Sequence, residues 1–352
     1  MRCFMLMMVL VASLMLPVTG TVAQISADTL PHIEKLGEIK VQGGLLLGDR
    51  LVWMPDSQGV AVVHEHEVLL YSVMDFAQAP QVLFQSERSL QRIAFTADFV
   101  WMAVASGDAG EDIRDSDAAQ VDVIELATGR LQSRFQLSEA GINALAFHAE
   151  NNRLIVVDGD YNFSMWDVET AQQISHYETH QPGWPLMTGA VFTDDGFLLA
   201  LGTGGAENQR TIWDTATGEK IAHGAYGYSA HLSFSPDKTI LTGASRYGGW
   251  THLWHLGADG DGVLVDHTSH YVLAADFSPD GSLFAQVLYA PSDAQGYRIQ
   301  FWNPLNGEDY GLLRVDEAVS DATGGMALLF SPDGKWLAVY NAVQGIQLWG
   351  MS

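Results

Sequence analysis

Phe277-Ser278-Pro279-Asp280-Gly281 recurs almost unchanged along this chain, as Phe234-Ser235-Pro236-Asp237 before it and Phe330-Ser331-Pro332-Asp333-Gly334 after it. Weaker copies run upstream: Trp53-Met54-Pro55-Asp56, Phe95-Thr96-Ala97-Asp98, Phe147-His148-Ala149-Glu150 and Phe192-Thr193-Asp194-Asp195-Gly196. The anchors fall at 53, 95, 147, 192, 234, 277 and 330. A repeat of about 42 residues with occasional insertions is the size of one four-stranded propeller blade.

The third copy shows the grammar of each repeat. Ala144 to Phe147 is an apolar strand with the small residues a crowded centre needs, and His148 to Asn152 is a turn. Leu154 to Val157 reads as a second strand, and Asp158-Gly159-Asp160 supplies the permissive backbone of a tight turn. Asn162 to Asp167 reads as a third strand, and a more polar outer strand follows near Gln173 to Tyr177, with alternating apolar and polar positions. The third strands are expected to end at Tyr71, Ile124, Trp166, Trp213, Trp254, Trp302 and Trp349.

Trp166-Asp167 and Trp213-Asp214 carry a signature dipeptide, Thr215-Ala216-Thr217-Gly218-Glu219 follows the second as a turn, and Ala127-Thr128-Gly129 repeats that turn. On these residues the chain resembles the WD-repeat family, over nearly all of its length after the leader. The resemblance implies an all-β fold: a seven-bladed β-propeller of four-stranded antiparallel blades. The chain departs from the family in two ways. The Gly-His dipeptide before the inner strand has Asp266-His267 as its nearest match, and the aspartate six residues before the tryptophan is clear only as Asp160. The Asp–His–Ser/Thr–Trp network of well-formed blades is therefore expected to be mostly missing.

The ends support a closed ring. The last repeat stops after its third strand at Trp349, while Asp28 to Leu36 precedes the first anchor as a spare segment. An N-terminal strand completing the last blade would remove an exposed sheet edge.

The first 23 residues read as a signal peptide, leaving residues 24–352 as one propeller domain. Arg2 is followed by an apolar run from Phe4 to Leu16, too short for a comfortable membrane span, and Thr21-Val22-Ala23 has the small-x-small pattern of a cleavage site. An uncleaved anchor is the alternative. Cleavage removes Cys3, the single cysteine, and with it any disulfide or cysteine nucleophile. The formal net charge of −25 repels nucleic acid and anionic lipid. The expectation is a monomeric exported protein, periplasmic or extracellular, that neither inserts in a membrane after cleavage nor binds nucleic acid.

No catalytic motif stands out: there is no Gly-x-Ser-x-Gly elbow, no His-Glu-x-x-His and no phosphate-binding glycine loop. No cofactor is expected. His64-Glu65-His66 falls on a turn, and His252 and His255 point to opposite faces of a strand. Asp259-Gly260-Asp261-Gly262 opens like a calcium loop, but Val263 and His270 stand where oxygen ligands are needed. No metal site is read from these clusters. Asp108, Glu111, Asp112, Asp115 and Asp117 place five carboxylates in one loop, either a ligand site such as calcium or a solvated loop partly neutralised by Arg114.

The insertions say more. The extra residues fall in Asp108–Gln120, Gln181–Pro185, Tyr289–Arg298 and Val319–Gly325, all in connections that open onto one face in the family. Loops that lengthen on one face of a repeat scaffold mark its binding face. Trp184, Tyr247, Trp250, Tyr289, Tyr297 and Arg298 lie on or beside them, and aromatics and arginine are frequent interface anchors. The candidate ligand-binding set is thus Asp108, Glu111, Asp112, Asp115, Trp184, Tyr247, Trp250, Tyr289 and Arg298. The expected function is a scaffold binding a protein or peptide. The alternatives are an extracellular propeller hydrolase or lactonase, against which the small apolar inner strands Ala144-Leu145-Ala146, Ala190-Val191 and Ala274-Ala275 weigh, and a carbohydrate binder.

Overall fold

A computed structural model describes residues 23–41, 51–107, 119–137, 141–149, 152–179, 187–203, 209–225, 231–244, 250–257, 263–266, 270–289, 297–315, 326–341 and 344–351. Alternation of small apolar and polar residues, punctuated by Asp, Gly and Pro, yields strands and almost nothing else.

The strands form seven four-stranded antiparallel sheets arranged as a ring. After β1 (Glu34–Ile39), blade 1 holds β2 (Leu51–Trp53), β3 (Gly59–His64), β4 (Glu67–Ser72) and β5 (Gln81–Gln85), and blade 2 holds β6 (Leu90–Phe95), β7 (Trp101–Ser106), β8 (Gln120–Glu125) and β9 (Arg130–Gln136). Blade 3 is β10 (Ile142–His148), β11 (Arg153–Asp158), β12 (Phe163–Asp167) and β13 (Gln173–Tyr177). Blade 4 is β14 (Met187–Phe192), β15 (Leu198–Thr203), β16 (Gln209–Asp214) and β17 (Lys220–Ala225). Blade 5 is β18 (His231–Phe234), β19 (Ile240–Ala244), β20 (Trp250–His255) and β21 (Val263–Asp266). Blade 6 is β22 (Tyr271–Phe277), β23 (Phe284–Tyr289), β24 (Tyr297–Trp302) and β25 (Asp309–Arg314). Blade 7 is β26 (Met326–Phe330), β27 (Trp336–Asn341) and β28 (Gly345–Gly350), with β1 as its outer strand.

The expected third-strand ends hold throughout: each named residue is the last or next-to-last residue of its strand. One boundary moves. The closing strand is Glu34–Ile39, paired Glu34↔Gly350 through Ile39↔Ile346, and not Asp28–Leu36. Pro31 lies within a single 3-10 turn at Leu30–His32, an extended Ile33 ends it, and strand pairing begins only after it. Upstream of that turn, Ile25 is 2% exposed in the core shared by blades 6 and 7, and its N–H donates to Gly334 O at 2.8 Å. The ring is also stitched between blades 7 and 1, where the Trp53 indole donates to Leu329 O at 3.1 Å.

The core lies between neighbouring blades. Phe135, Phe163, Phe284, Phe301 and Tyr340 are each under 2% exposed, and burying such a ring contributes about 1.5–3 kcal/mol. The signal peptide falls outside the described residues except for Ala23.

Candidate functional site

Antiparallel order gives the ring two unlike ends. Turns between first and second strands, and between third and outer strands, lie on one end, here the turn face. Connections between second and third strands, and between successive blades, lie on the other, the loop face.

The repeated Ser/Thr-x-Asp tripeptides build the turn face. The hydroxyls of Thr96, Thr193, Ser235, Ser278 and Ser331 donate to Asp98, Asp195, Asp237, Asp280 and Asp333 at 2.6–2.7 Å. The same hydroxyls accept the N–H that opens the next strand, as from Ile240 to Ser235 and from Leu283 to Ser278, both at 2.9 Å. The bond from Thr96 holds the Asp98 carboxyl below its usual range. Burial pushes Asp280 up, but the hydroxyls of Ser278 and Ser282 outweigh it and leave that carboxyl lowered too. These turns satisfy their own polar groups.

The loop face is described only in part. Asp108, Glu111, Asp112, Asp115, Trp184 and Tyr247 lie outside the described residues, as do Asp117 and Asp259–Gly262. Trp250 opens β20, paired with Asp266 of β21. Tyr289 and Arg298 are on the rim of blade 6, at the end of β23 and the start of β24. Tyr289 is the middle of a cross-strand aromatic ladder, with Tyr271 at 6.4 Å and Tyr297 at 5.2 Å between ring centroids. Tyr297 is buried and the other two are half-buried against the core shared with blade 7. Arg298 points the opposite way, toward blade 5, where its Nη2 donates to Nε2 of His270. Tyr289 and Arg298 are therefore on one rim but on two sides of the same blade.

His64-Glu65-His66 forms the β3–β4 corner, with Glu65 in the left-handed region at φ 45. Among the described residues, no three His, Cys, Asp or Glu side chains converge as metal ligands. His252 and His255 fall on opposite faces of β20, as their spacing requires.

Several polar groups escaped the sequence reading. Arg210, 4% exposed on β16, donates from Nη2 to Nδ1 of His252 at 3.0 Å and lies over the Trp254 ring at 5.9 Å. Burial pushes its pKa down to about 10, so it keeps its charge at neutral pH. On the other face of β20, Thr251 accepts from Gln286 of blade 6 at 2.7 Å. A polar string thus runs through blades 4, 5 and 6. Asp276 stands on the inner strand where other blades have Ala146, Val191 or Leu329. The residue is half-buried, and enclosure of its carboxyl by the ring pushes the pKa up to about 7, against the pull of the Phe330 N–H at 2.9 Å. For Arg210 and Gln286 the sequence signal was a polar residue where most blades have an apolar one, as Phe163 and Ile299 or Val156 and Val339.

The indoles of Trp166 and Trp213 donate to Ser164 at 2.8 Å and to Thr211 at 3.0 Å, two residues upstream on their own strands. Chemically, the described loop face offers aromatic rings, a histidine and a guanidinium, which suit recognition. The chain matches no protein-family model, and no curated protein is similar to it.

Proposed function

We propose that this chain is an exported propeller of the WD-repeat type that holds a protein or peptide partner on its loop face. The observation that carries the proposal is the contrast between the two ends of the ring. The turn-face hydroxyls and carboxylates are spent on one another, whereas the segments 108–118, 180–186, 290–296 and 316–325 all leave and rejoin the strands at the loop face. A rigid ring beneath such segments lowers the ordering cost of binding. The half-buried Tyr289 next to Tyr271, with Arg298 on the same rim, is the kind of aromatic and guanidinium surface on which partners anchor.

Two further observations support the type and the compartment. The matching turns after Trp166-Asp167 and Trp213-Asp214, where Thr170 donates to Asp167 at 2.8 Å and Thr217 donates to Asp214 at 2.9 Å, fit the WD-repeat resemblance. Ile25, the first core residue, follows the small-x-small site at once, so cleavage after Ala23 would leave the folded body whole. N-terminal sequencing of the exported protein should read from Gln24, and retention of Met1 would refute export by cleavage.

The partner is sought by affinity capture from the exported fraction. Trp184→Ala with Tyr289→Ala should weaken capture at least tenfold. Lys335→Ala with Glu219→Ala, on the turn face, should leave it unchanged. The reverse pattern would assign the wrong face.

A further inference from the structure

Arg298 of β24 and Arg314 of β25 are direct cross-strand partners. The Val315 N–H donates to Tyr297 O at 3.3 Å, so the 297/315 pair is hydrogen-bonded and the adjoining 298/314 pair is not. In pairs of that kind the Cα atoms are about 4.5 Å apart and the side chains closest. Two guanidinium groups therefore share one side of the sheet at the loop-face rim. Like charges placed so are destabilising unless an anion lies between them. None of the ion pairs among the described residues involves either arginine. The Nε of Arg298 is buried and has no hydrogen-bond partner, while its Nη2 is held by His270. A buried donor with no acceptor is costly, and a guanidinium donor is satisfied best by an oxyanion. The side that carries the pair faces blade 5, over Ala244 and Leu288, both 2% exposed or less. That apolar floor keeps water from screening the charges from below.

We propose that the Arg298–Arg314 pair, with His270 positioning Arg298, is a binding site for an oxyanion, a carboxylate or phosphate group of a ligand reaching the loop-face rim on the blade 5 side of blade 6. In a chain of net charge −25 such a local positive site is the exception, and the surrounding field favours small or singly anchored anions over polyanions. Arginine's planar fork fits both oxyanions, and two forks on paired strands fit either without a metal. The site does not depend on the platform proposed above, since a partner held by Trp184 and Tyr289 needs no anion.

The full-length protein is titrated calorimetrically with sodium phosphate and, separately, with sodium succinate at low chloride. At least one should bind saturably with one-to-one stoichiometry. Arg298→Gln should weaken that binding tenfold or more, and the exposed Arg314→Gln at least threefold. Binding of phosphate alone assigns a phosphate ligand, and binding of succinate alone assigns a carboxylate. Saturable binding by neither anion overturns the proposal, as does binding that is the same in both variants. A ligand-free arm tests the repulsion itself. Arg314→Glu places a carboxylate opposite Arg298, so it should raise the melting temperature by about 1–2 °C and abolish anion binding. A melting temperature at or below the parent's overturns the proposal too.

Discussion

The turn face and the loop face are made by the same strands, yet they differ in what their polar groups do. On the turn face a hydroxyl and a carboxylate two residues apart close the corner between first and second strands at 2.6–2.7 Å in blades 2, 4, 5, 6 and 7. The corners also hold neighbouring blades together: Ala149 N–H donates to Asp195 O at 2.8 Å, and Lys238 pairs with Asp195. On the loop face, blade 6 shows tyrosines, a histidine and two arginines where blade 3 shows Asp158 and Asn162. Repetition marks the end that assembles the ring, and variation marks the other end. Changes on the turn side should therefore cost stability, and changes on the loop rim should cost little.

The largest effect expected is from deleting residues 24–40, which removes β1 and Ile25 and bares the edge of β28. The deletion should aggregate on size-exclusion chromatography. A monomer that melts with the parent would mean that closure does not hold the ring.

Gly196→Ala comes next. Gly196 has φ +72, and an added Cβ would sit 2.5 Å from Phe147 O of the neighbouring blade. A loss of about 2–4 kcal/mol in denaturant unfolding is expected. Gly129, at φ +67 with open space around it, should lose only about 1 kcal/mol as alanine. Equal losses would show that the corners do not couple the blades.

Asp276 sharpens the contrast through pH. Its folded pKa, about 7, lies above that of an unfolded aspartate, so the native state holds the extra proton. Its contribution to stability is full below about pH 4 and is lost as pH rises toward 7. Asp276→Asn keeps an acceptor for the Phe330 N–H and needs no proton, so it should stabilise the protein at pH 8 by about 1–3 kcal/mol, less than the full shift implies because the residue is only half-buried. Little gain is expected at pH 4. A gain of equal size at both pH values would rule out this titration.

Ser278→Ala should cost about 1–2 kcal/mol at pH 7, through the lost bonds to Asp280 and from Leu283. Asp280 is the opposite case to Asp276. Its lowered pKa gives stability that is present above the unfolded value and lost as pH falls through the folded one, so the penalty should shrink in acid. The smallest effect should come from half-buried Tyr289→Ala, at about 1 kcal/mol or less. If it exceeds Ser278→Ala, the loop rim is structural after all.

These differences also explain what could be read from the sequence. The blades were legible because Ser235, Ser278 and Ser331 do one local job three times, and a local hydrogen bond leaves a local motif. The third-strand ends were legible because Trp166, Trp213 and their equivalents fill the same space between blades. The closing strand was placed several residues early, because Ile25 and the turn at Leu30–His32 answer to blade 7 and not to their sequence neighbours. The site was far less legible. Arg298 and Tyr289 were found from their place beside a long connection, but not that they face opposite sides of the blade. Arg314 was not found at all, since only strand register places it opposite Arg298.

Closure by the first strand has a consequence for how the ring can be displayed. Glu34 pairs with Gly350, so both ends of the folded body emerge together, with Gln24 donating to Asp333 O at 2.9 Å and Met351 beside Pro31–Glu34. That place is on the turn side. A tether at either terminus would stand the ring like a flower on its stem, with the tyrosines and arginines of blade 6 turned outward from whatever holds it.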